Sequence, residues 1–252
     1  MGIGGIVIGD EIIRGKREDK HMKKLIELLR VRGMRLGWCE YIGDDRDRIT
    51  ATLKRSMATP DIVFSFGGIG ATPDDHTRQC AAAATGADLA LHPDAGREIR
   101  GRFGDDTAPL RLKMGEFPQG SSIIPNPYNR IPGFSIADHH FVPGFPVMAW
   151  PMVEWVLDTR YRELFNEVPE GDDSVVVYDS AESTLTPLME AVEAKFAGLK
   201  VYSLPSMGQT GKRRHIELGV RGNPEAIAAA MEDLRTGVEK LGGRWEKPGS
   251  SQ

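Results

Sequence analysis

The residues best suited to chemistry follow the apolar segment 61–66, which has the composition of a buried parallel strand. Three glycines come directly after this segment, and glycine takes backbone angles that let main-chain amides approach a ligand. A helix pattern opens a few residues later. Free amides at a glycine turn and helix start attract anions, because the helix dipole adds a positive potential. The pattern therefore predicts a phosphate site formed by Gly67, Gly68, Gly70 and Thr72.

The helix after this turn has a recognisable start in the sequence. Thr72 is the predicted N-cap, Pro73 is the first helical residue, and Asp75 completes a Thr-x-x-Asp capping box. Asp74 and Asp75 also bring carboxylates to the phosphate site, and carboxylates beside a phosphate favour a Mg²⁺-like ion between them. The alternative is that Asp75 only caps the helix, and the spacing does not decide between these two roles.

Two more acids follow strand patterns. Asp10 comes after the apolar segment 3–8, and Asp44 comes after the segment 34–42, which alternates as a strand does. Because ligands of open α/β sheets bind at the carboxyl ends of strands, Asp10 is a candidate for the same site. Asp44 precedes a helix predicted over 46–58, and the residues by themselves indicate that it caps this helix.

Two backbone features further along the chain also suit a ligand. Asn126 lies between two prolines, and its rigid backbone suits a fixed hydrogen bond. Gly144 lies in a Pro-Gly-Phe-Pro turn before a helix predicted over 147–165, and it would again bring the backbone close to a ligand. We therefore add Asn126 and Gly144 to the ligand-binding candidates.

Five segments, taken in order, resemble the motifs of one protein family. GGIGATPDD at 67–75 is similar to the GG-x-G-x-TPDD signature of the molybdopterin-binding fold. That fold is shared by the MoaB/Mog proteins of molybdenum-cofactor synthesis and by the N-terminal part of the CinA (competence/damage-inducible) family. The other segments are GDEIIRG at 9–15, GDD at 43–45, PNP at 125–127 and VPGFP at 142–146. Such an ordered set is far more specific than one glycine loop.

The resemblance implies an α/β domain with a mostly parallel sheet flanked by helices. It also implies site residues, because the acids matching Asp44 and Asp75 belong to the active site of Mog-type proteins. We therefore expect Asp75, supported by Asp10 and Asp44, to be catalytic and to organise a divalent metal ion such as Mg²⁺. A charge argument agrees, since a diphosphate among carboxylates is repelled unless a cation lies between them.

The two branches of the family imply different functions. The CinA branch implies metal-dependent cleavage of a pyrophosphate in a nucleotide such as ADP-ribose. The Mog branch implies binding of molybdopterin or its adenylylated form. The TPDD form of the signature and the GDEII start favour the CinA branch. Both reactions need backbone amides for phosphate and acids for a metal.

A third hypothesis is a binding module whose site no longer turns over. It is motivated by Lys20 and His21, which stand where the CinA family tends to have Thr and Asn. These residues would present different hydrogen bonds and charge to a ligand. His21 by itself is more often a solvated helix cap than a catalytic residue, so it is a candidate only.

The polar segment 167–173 predicts a boundary between a first domain at 1–168 and a second domain at 172–246. The second domain has the βαββαβ order of a ferredoxin-like α+β domain. It carries no paired acids and no glycine-phosphate turn, and its basic segment 206–214 is predicted to be a solvated loop. The CinA family often adds a C-terminal amidohydrolase domain. This sequence ends before one, so we do not expect deamidation of nicotinamide nucleotides.

The composition favours a small-molecule ligand. With 32 Lys and Arg against 36 Asp and Glu, the net charge is −4, and no basic stripe predicts nucleic-acid binding. No apolar segment approaches a membrane span, and Cys39 and Cys80 fit no metal or redox spacing. We therefore expect a cytoplasmic protein that binds a nucleotide or pterin without membrane association. By analogy with the fold's relatives, we expect a homo-oligomer.

Overall fold

The computed structural model describes residues 1–105, 107–165, 171–206 and 214–249. The chain divides into two compact units, Met1–Asn166 and Glu167–Gln252. Each unit has its own hydrophobic core among these residues. None of the described helices combines the length and the apolar character that crossing a bilayer requires.

The first unit alternates strands and helices along most of its length. Its strands are β1 (Ile3–Ile8), β2 (Trp38–Ile42), β3 (Ile62–Phe66), β4 (Leu89–Leu91), β5 (Glu116–Pro118), β6 (Ser122–Ile124), β7 (Gly133–Ile136) and β8 (His139–Val142). Its helices are α1 (Asp10–Ile13), α2 (His21–Arg30), α3 (Arg46–Met57), α4 (Thr77–Thr85), α5 (Pro93–Phe103), α6 (Pro109–Leu112) and α7 (Pro146–Arg160).

Six of these strands form one sheet in the order β2-β1-β3-β8-β7-β6. The neighbours β2, β1, β3 and β8 pair in parallel, whereas β7 runs antiparallel to both β8 and β6. Strands β4 and β5 form a separate two-stranded sheet. The predicted α/β class with a mostly parallel sheet is confirmed, and the two apolar segments 3–8 and 61–66 form adjacent strands of this sheet.

The sheet is covered by helices on both faces, because side chains of one strand point alternately to opposite sides. Val7 and Phe64 belong to the core formed with α2 and α7. Ile6 and Val63 belong to the core formed with α3, α4 and α5. All six residues of β1 are buried, which explains its uninterrupted apolar sequence.

The start of α4 differs from the prediction. The helix begins at Thr77, five residues after the predicted N-cap Thr72. Asp75 accepts hydrogen bonds from the Thr72 amide, at 2.8 Å, and from the Thr72 hydroxyl. Of the two bonds of a capping box, only the one from the Thr72 amide to the Asp75 carboxylate exists. The Asp75 amide donates to the Thr72 carbonyl at 3.0 Å instead, so these bonds close a turn that precedes the helix. Gly86 ends α4 in the left-handed conformation, which glycine adopts without strain.

The second unit has the strands β9 (Gly171–Tyr178), β10 (Lys200–Ser206), β11 (His215–Gly222) and β12 (Arg244–Glu246), with the helices α8 (Glu182–Lys195) and α9 (Pro224–Lys240). Its sheet is antiparallel in the order β10-β11-β9-β12. The chain order βαββαβ with this strand order is the ferredoxin-like arrangement. The predicted fold class of this part of the chain is confirmed.

Several predicted boundaries move. The second strand begins at Trp38, four residues later than predicted, and α7 ends at Arg160 rather than 165. The weakly patterned segment 104–118 contains α6 and β5, which the sequence analysis did not predict. Most of the basic segment 206–214 lies outside the described residues.

Candidate functional site

The carboxyl ends of the four parallel strands bring most of the predicted residues to one edge of the sheet. The Gly9 amide donates to the Ile42 carbonyl at 3.0 Å, which joins the end of β1 to the end of β2. The Gly67 amide donates to the Val142 carbonyl at 3.0 Å, which joins the end of β3 to the end of β8. The residues that follow these strands therefore lie at the edge where open α/β sheets bind ligands.

Asp10 and Asp44 form a reciprocal pair at this edge. The Asp10 amide donates to Asp44 Oδ2 at 2.8 Å, and the Asp44 amide donates to Asp10 Oδ1 at 3.3 Å. A Cβ at Gly43 would lie 2.5 Å from Asp10 Oδ1, so a side chain there would displace the Asp10 carboxylate from this position. The two carboxylates, 34 residues apart in sequence, are thus fixed against each other by backbone hydrogen bonds.

Asp44 lies among other acids. Burial raises the pKa of its carboxyl, the hydrogen bond from the Asp10 amide lowers it, and the charges of Asp10, Glu11 and Asp74 raise it again. Asp44 Oδ1 has no hydrogen bond within the described part of the chain. A surface ion pair joins Arg14 Nη2 to Asp10 Oδ2 at 2.6 Å. The site is therefore a place where a further cation would be stabilised.

Capping does not explain Asp44. The cap of α3 is its neighbour Asp45, whose Oδ1 accepts from the Arg48 amide at 2.8 Å. The two acids of the Gly-Asp-Asp segment therefore have separate roles. One starts the helix, and the other is free to face the end of β1.

The glycine loop is held by close backbone contacts. Gly67 and Gly68 have φ angles of 102° and 67°, which side chains rarely allow. A Cβ at Gly67 would lie 2.2 Å from the Ile8 carbonyl oxygen. Thr77 donates its hydroxyl to the Gly67 carbonyl at 3.1 Å and its amide to the Gly68 carbonyl at 3.0 Å. The start of α4 thus orients the carbonyls of the loop inward.

Four consecutive amides of this loop have no hydrogen-bond partner within the described residues, namely those of Gly68, Ile69, Gly70 and Ala71. The Thr72 amide, by contrast, is bound to Asp75. The predicted phosphate site of Gly67, Gly68, Gly70 and Thr72 therefore loses two free amide donors, because the Gly67 amide is bound to Val142 and the Thr72 amide to Asp75. The remaining free amides are the groups with which backbone anion sites bind phosphate.

Asp75 lies against the loop rather than with the other two predicted acids. Its Oδ2 accepts from Thr72 and would lie 2.5 Å from a Cβ at Gly70. The acid of this segment whose charge acts on Asp44 is the exposed Asp74. The structure therefore brings Asp10 and Asp44 together, and the acid whose charge reaches them from this segment is Asp74, which was predicted beside the phosphate but not among the catalytic acids.

No group of three or more His, Cys, Asp or Glu side chains among residues 1–105, 107–165, 171–206 and 214–249 is arranged to hold a metal ion. A metal at this edge would therefore need oxygen ligands from a bound molecule in addition to Asp10 and Asp44. Mg²⁺ is commonly held in this way, by one or two carboxylates and the phosphates of a substrate.

A cavity of about 380 Å³ opens at this edge, lined by Glu11, which follows Asp10, and by Phe66, which precedes the glycine loop. Asp10, Asp44 and residues 67–71 are not part of its lining. Its apolar wall includes Ile8, Phe66 and Phe145, and charged side chains also line it. The complete lining is Val7, Ile8, Glu11, Ile12, Arg17, Glu18, Lys20, His21, Phe66, Gly144, Phe145 and Pro146. The volume and the mixed lining fit a heterocyclic ligand with polar substituents.

His21 is buried in this wall, which contradicts the prediction of a solvated helix cap. Its ring stacks on Phe66 with centroids 4.6 Å apart, and Nε2 lies 3.1 Å from the Gly144 carbonyl oxygen. Burial lowers the pKa of His21, and the bond to Gly144 and the charge of Asp19 partly oppose this. His21 Nδ1 has no partner in the described structure. Asp19, not His21, accepts from the first amides of α2.

Asn126 and Gly144 occupy different surroundings. Asn126 is buried and holds its own loop, donating from Nδ2 to the Ile131 carbonyl at 2.9 Å and accepting from the Tyr128 amide at 3.0 Å. Its contact with a ligand stays a prediction. Gly144 lines the cavity, and a Cβ there would lie 3.5 Å from the Cα of Gly67.

Arg78 is a residue that the sequence analysis missed. Its side chain is 3% exposed and donates from Nη2 to the Gly70 carbonyl at 2.7 Å, directly behind the free amides. The available signal was an arginine in a helix of otherwise small or polar residues. Because arginines are mostly exposed, nothing in the sequence pattern predicted that this one lies beneath a loop.

The sheet, the helices on both of its faces and the glycine loop at its carboxyl edge define an open α/β domain of the ligand-binding type. The chain belongs to the family described as "Probable molybdopterin binding domain", which matches residues 4–163. The resemblance stated from the motifs is thereby confirmed.

Relatives show the same likeness over most of the chain. Protein Ta0487 of Thermoplasma acidophilum is 28% identical, over 98% of this chain and 96% of that protein. A CinA-like protein of Anaeromyxobacter dehalogenans is 32% identical over 77% of this chain and 50% of its own length, so the match spans half of that relative. A crystal structure of the protein CinA, of unknown function, from Thermoplasma acidophilum has a TM-score of 0.57 and 26% identity. It covers 63% of this chain and 98% of that chain.

Proposed function

We propose that the first unit cleaves the pyrophosphate bond of a nucleotide such as ADP-ribose with the help of a divalent cation. One observation carries this proposal. The reciprocal Asp10–Asp44 pair and the free amides of Gly68 to Ala71 follow neighbouring parallel strands at the same edge of the sheet. Amides bind phosphate oxygens and carboxylates bind hard cations, which are the two needs of a diphosphate substrate.

The residues present fit a divalent cation. Asp44 is surrounded by the acids Asp10, Glu11 and Asp74, and their repulsion would be relieved by a cation. The oxygen-only donor set suits Mg²⁺ or Mn²⁺ rather than softer metals. Asp10 and Asp44 would hold the ion together with phosphate oxygens. When bound, such an ion polarises phosphoryl oxygens and neutralises charge that develops on the leaving phosphate.

The chain's own residues orient the substrate. The amides of Gly68 to Ala71 would bind one phosphate group, and the cavity beside them would hold the ribose or base. Asp44 is held in place by the Asp10 amide at 2.8 Å, so its carboxylate is fixed before the substrate arrives. Pre-organised groups of this kind can contribute much of the rate enhancement of a hydrolase.

Asp44→Asn tests the proposal, with Asp45→Ala as a matched control. We expect Asp44→Asn to lower turnover of ADP-ribose by about 100-fold or more across a Mg²⁺ titration, because a charged ligand is lost. Asp45→Ala removes the cap of α3 and should cost about 1 kcal/mol of stability while turnover stays near that of the wild type. Normal turnover in Asp44→Asn, or turnover unaffected by a chelator, would exclude the proposal.

Molybdopterin binding is the second candidate, favoured by the match of residues 4–163 to the family described as molybdopterin binding. The same amides and acids would then bind the pterin phosphate or support adenylyl transfer. Titration with ADP-ribose and with molybdopterin, each with and without Mg²⁺ and followed by product analysis, separates the two. Binding of either ligand without any product would instead support a non-catalytic module.

A further inference from the structure

Arg78 joins the glycine loop to a distant segment of the first unit. Its guanidinium donates from Nη2 to the Gly70 carbonyl at 2.7 Å, and from Nη1 to the Glu116 carbonyl at 3.3 Å and to the Lys113 carbonyl. All three acceptors are backbone oxygens. The side chain is 3% exposed, so these bonds lie out of contact with solvent.

The positive charge of Arg78 is not neutralised locally. Within the described residues, no carboxylate oxygen lies within 4.0 Å of the guanidinium. The charges of Glu116 and Asp75 act on it from farther away, while burial lowers its pKa. Its Nε also has no hydrogen-bond partner in the part of the chain that the structure describes. Burying a charge is costly unless an opposite charge compensates it, so this arginine behaves as half of an ion pair whose other half is missing.

The peptide group of Gly70 and Ala71 connects this charge to the free amides. In a trans peptide the carbonyl and the amide hydrogen point in opposite directions. With the guanidinium on the Gly70 oxygen, the Ala71 amide points away from Arg78 and has no partner of its own in the described structure. A cation bound to the carbonyl polarises the peptide, and hydrogen bonds linked in this way strengthen each other.

We propose that Arg78 is a positioning residue that supplies the fixed positive charge of an anion site for phosphate groups, acting through the Gly70–Ala71 peptide. The ligand class, a phosphate or diphosphate, rests on the proposed function, but the cleavage step does not enter the argument. The loop would bind an anion on its amide side while the guanidinium stays behind its carbonyl side. Asp75 would hold the neighbouring Thr72 amide out of the site.

The test is a titration of the full chain with inorganic pyrophosphate, followed by the amide resonances of Gly68 to Ala71. In the wild type we expect the Ala71 amide to respond to pyrophosphate. Arg78→Met removes the charge and should weaken pyrophosphate binding by about tenfold or more, in line with losing a charge-assisted hydrogen bond. Arg78→Lys keeps the charge without the guanidinium fork and should lose affinity by a smaller factor.

Arg111→Lys is the matched control. That arginine is exposed and its guanidinium lies 4.2 Å from the Phe103 ring centroid, so pyrophosphate affinity should not change. Thermal melts of every variant show whether it is folded. If Arg78→Met does not fold, the comparison of Arg78→Lys with the wild type tests the inference. If Arg78 only held the loop in place, Arg78→Lys would lower the melting temperature but leave the pyrophosphate affinity and the response of the Ala71 amide unchanged.

Two results overturn the inference. One is an Ala71 amide that does not respond to pyrophosphate in the wild type, and the other is a folded Arg78→Lys protein with wild-type affinity. The proposed cleavage fails separately, when pyrophosphate binds at the loop but ADP-ribose is not hydrolysed. In that case the role of Arg78 stands.

Discussion

The two ends of the parallel sheet differ in whether their buried polar groups have hydrogen-bond partners. At the carboxyl ends, Arg78 Nε and His21 Nδ1 are buried without a partner among the described residues, and the amides of the glycine loop are free. At the amino end of β8, His139 and His140 are fully buried and every ring nitrogen has a partner. Buried polar groups are nearly always paired in native proteins. The unpaired end is therefore the one that a ligand can complete.

The paired end is a connected network. His140 Nδ1 lies 2.8 Å from the Ser135 hydroxyl, and Nε2 lies 2.7 Å from the Tyr161 hydroxyl. Tyr161 donates to Asp138 Oδ1 at 2.9 Å, so its oxygen accepts from the Nε2–H of His140. Ser135 then donates to Nδ1. The neutral imidazole is fully satisfied, and a second proton on Nδ1 would require the Ser135 hydroxyl to turn from donor to acceptor.

Acidification should have the largest effect of the predicted changes, and it acts on the paired end. Burial, followed by the charges of Arg160 and His139, lowers the pKa of His140 to about 3, whereas an unfolded histidine titrates near 6.5. Between these values the unfolded chain binds a proton that the folded chain does not. The free energy of unfolding should therefore fall by about 1.4 kcal/mol for each pH unit below about 6.5, on account of His140 alone.

Urea unfolding at a series of pH values measures this slope, with His140→Gln as the comparison. Glutamine keeps a donor and an acceptor but does not titrate. In His140→Gln the fall in the free energy of unfolding with decreasing pH should therefore be shallower, by the contribution of about one proton. His21 and His139 are also buried with lowered pKa values, and they contribute equally to both proteins. Equal slopes would show that His140 is not a source of the acid sensitivity.

Removing one hydroxyl from the network is the next largest change. Tyr161→Phe leaves the His140 N–H without its acceptor and should lower the free energy of unfolding by about 1–3 kcal/mol. Pyrophosphate affinity should be unchanged, because the network lies at the other end of the strands. Tyr128→Phe, at an exposed tyrosine, should alter stability by no more than about 0.5 kcal/mol. A Tyr161→Phe protein with weakened pyrophosphate binding would break the contrast between the two ends.

Gly70→Val, at the unpaired end, should have the opposite pattern of effects from Tyr161→Phe, with weaker pyrophosphate binding and a surviving fold. A Cβ there meets Asp75 Oδ2 at 2.5 Å, the movable end of a side chain, so the fold should survive. The added methyl groups would cover the free amides, and pyrophosphate affinity should fall by about tenfold or more, as if a charge-assisted bond were lost. Gly37→Ala, where the Cβ would be 3.4 Å from its nearest neighbour, is the control. Calorimetric titration of both variants with pyrophosphate measures this difference. Equal affinities of Gly70→Val and Gly37→Ala would show that the phosphate site does not lie at the free amides of the glycine loop.

His21→Asn should have the smallest effect. It removes a ring stacked on Phe66, and such a contact stabilises by about 0.5–1.5 kcal/mol. The change opens the cavity wall without touching the loop, so the affinity for ADP-ribose should change while that for pyrophosphate stays constant. Parallel titrations with the two ligands measure this. An equal change for both would place the nucleoside part of the ligand outside the cavity.

The sequence predicted the parts of the fold that local pattern controls. The apolar segments of β1 and β3 indicated strands, and the Gly-Asp-Glu and Gly-Asp-Asp segments placed Asp10 and Asp44 after two strands, which the structure shows to be adjacent. Both acids follow a strand directly. Because parallel strands align their carboxyl ends, this sequence position alone was enough to bring them together.

What the sequence did not predict depends on distant contacts. The same Thr-x-x-Asp pattern can start a helix or close a turn that precedes one. Here the helix starts at Thr77, whose hydroxyl donates to the Gly67 carbonyl, and the pattern closes the turn. His21 was predicted to be solvated, but the residues that bury it include Phe66 and Gly144, 45 and 123 positions further along. Arg78 is buried against backbone oxygens, which no side-chain pattern reveals.

The close approach of Gly67 to the Ile8 carbonyl has a consequence for the tolerance of this chain to mutation. Any side chain at that position meets a backbone oxygen 2.2 Å away, and the φ angle of 102° is also unfavourable. In a library that replaces every residue in turn, position 67 should return glycine alone when variants are sorted for soluble expression. Position 70 should accept other residues in that sort and lose them only when variants are sorted for retention on a phosphate resin.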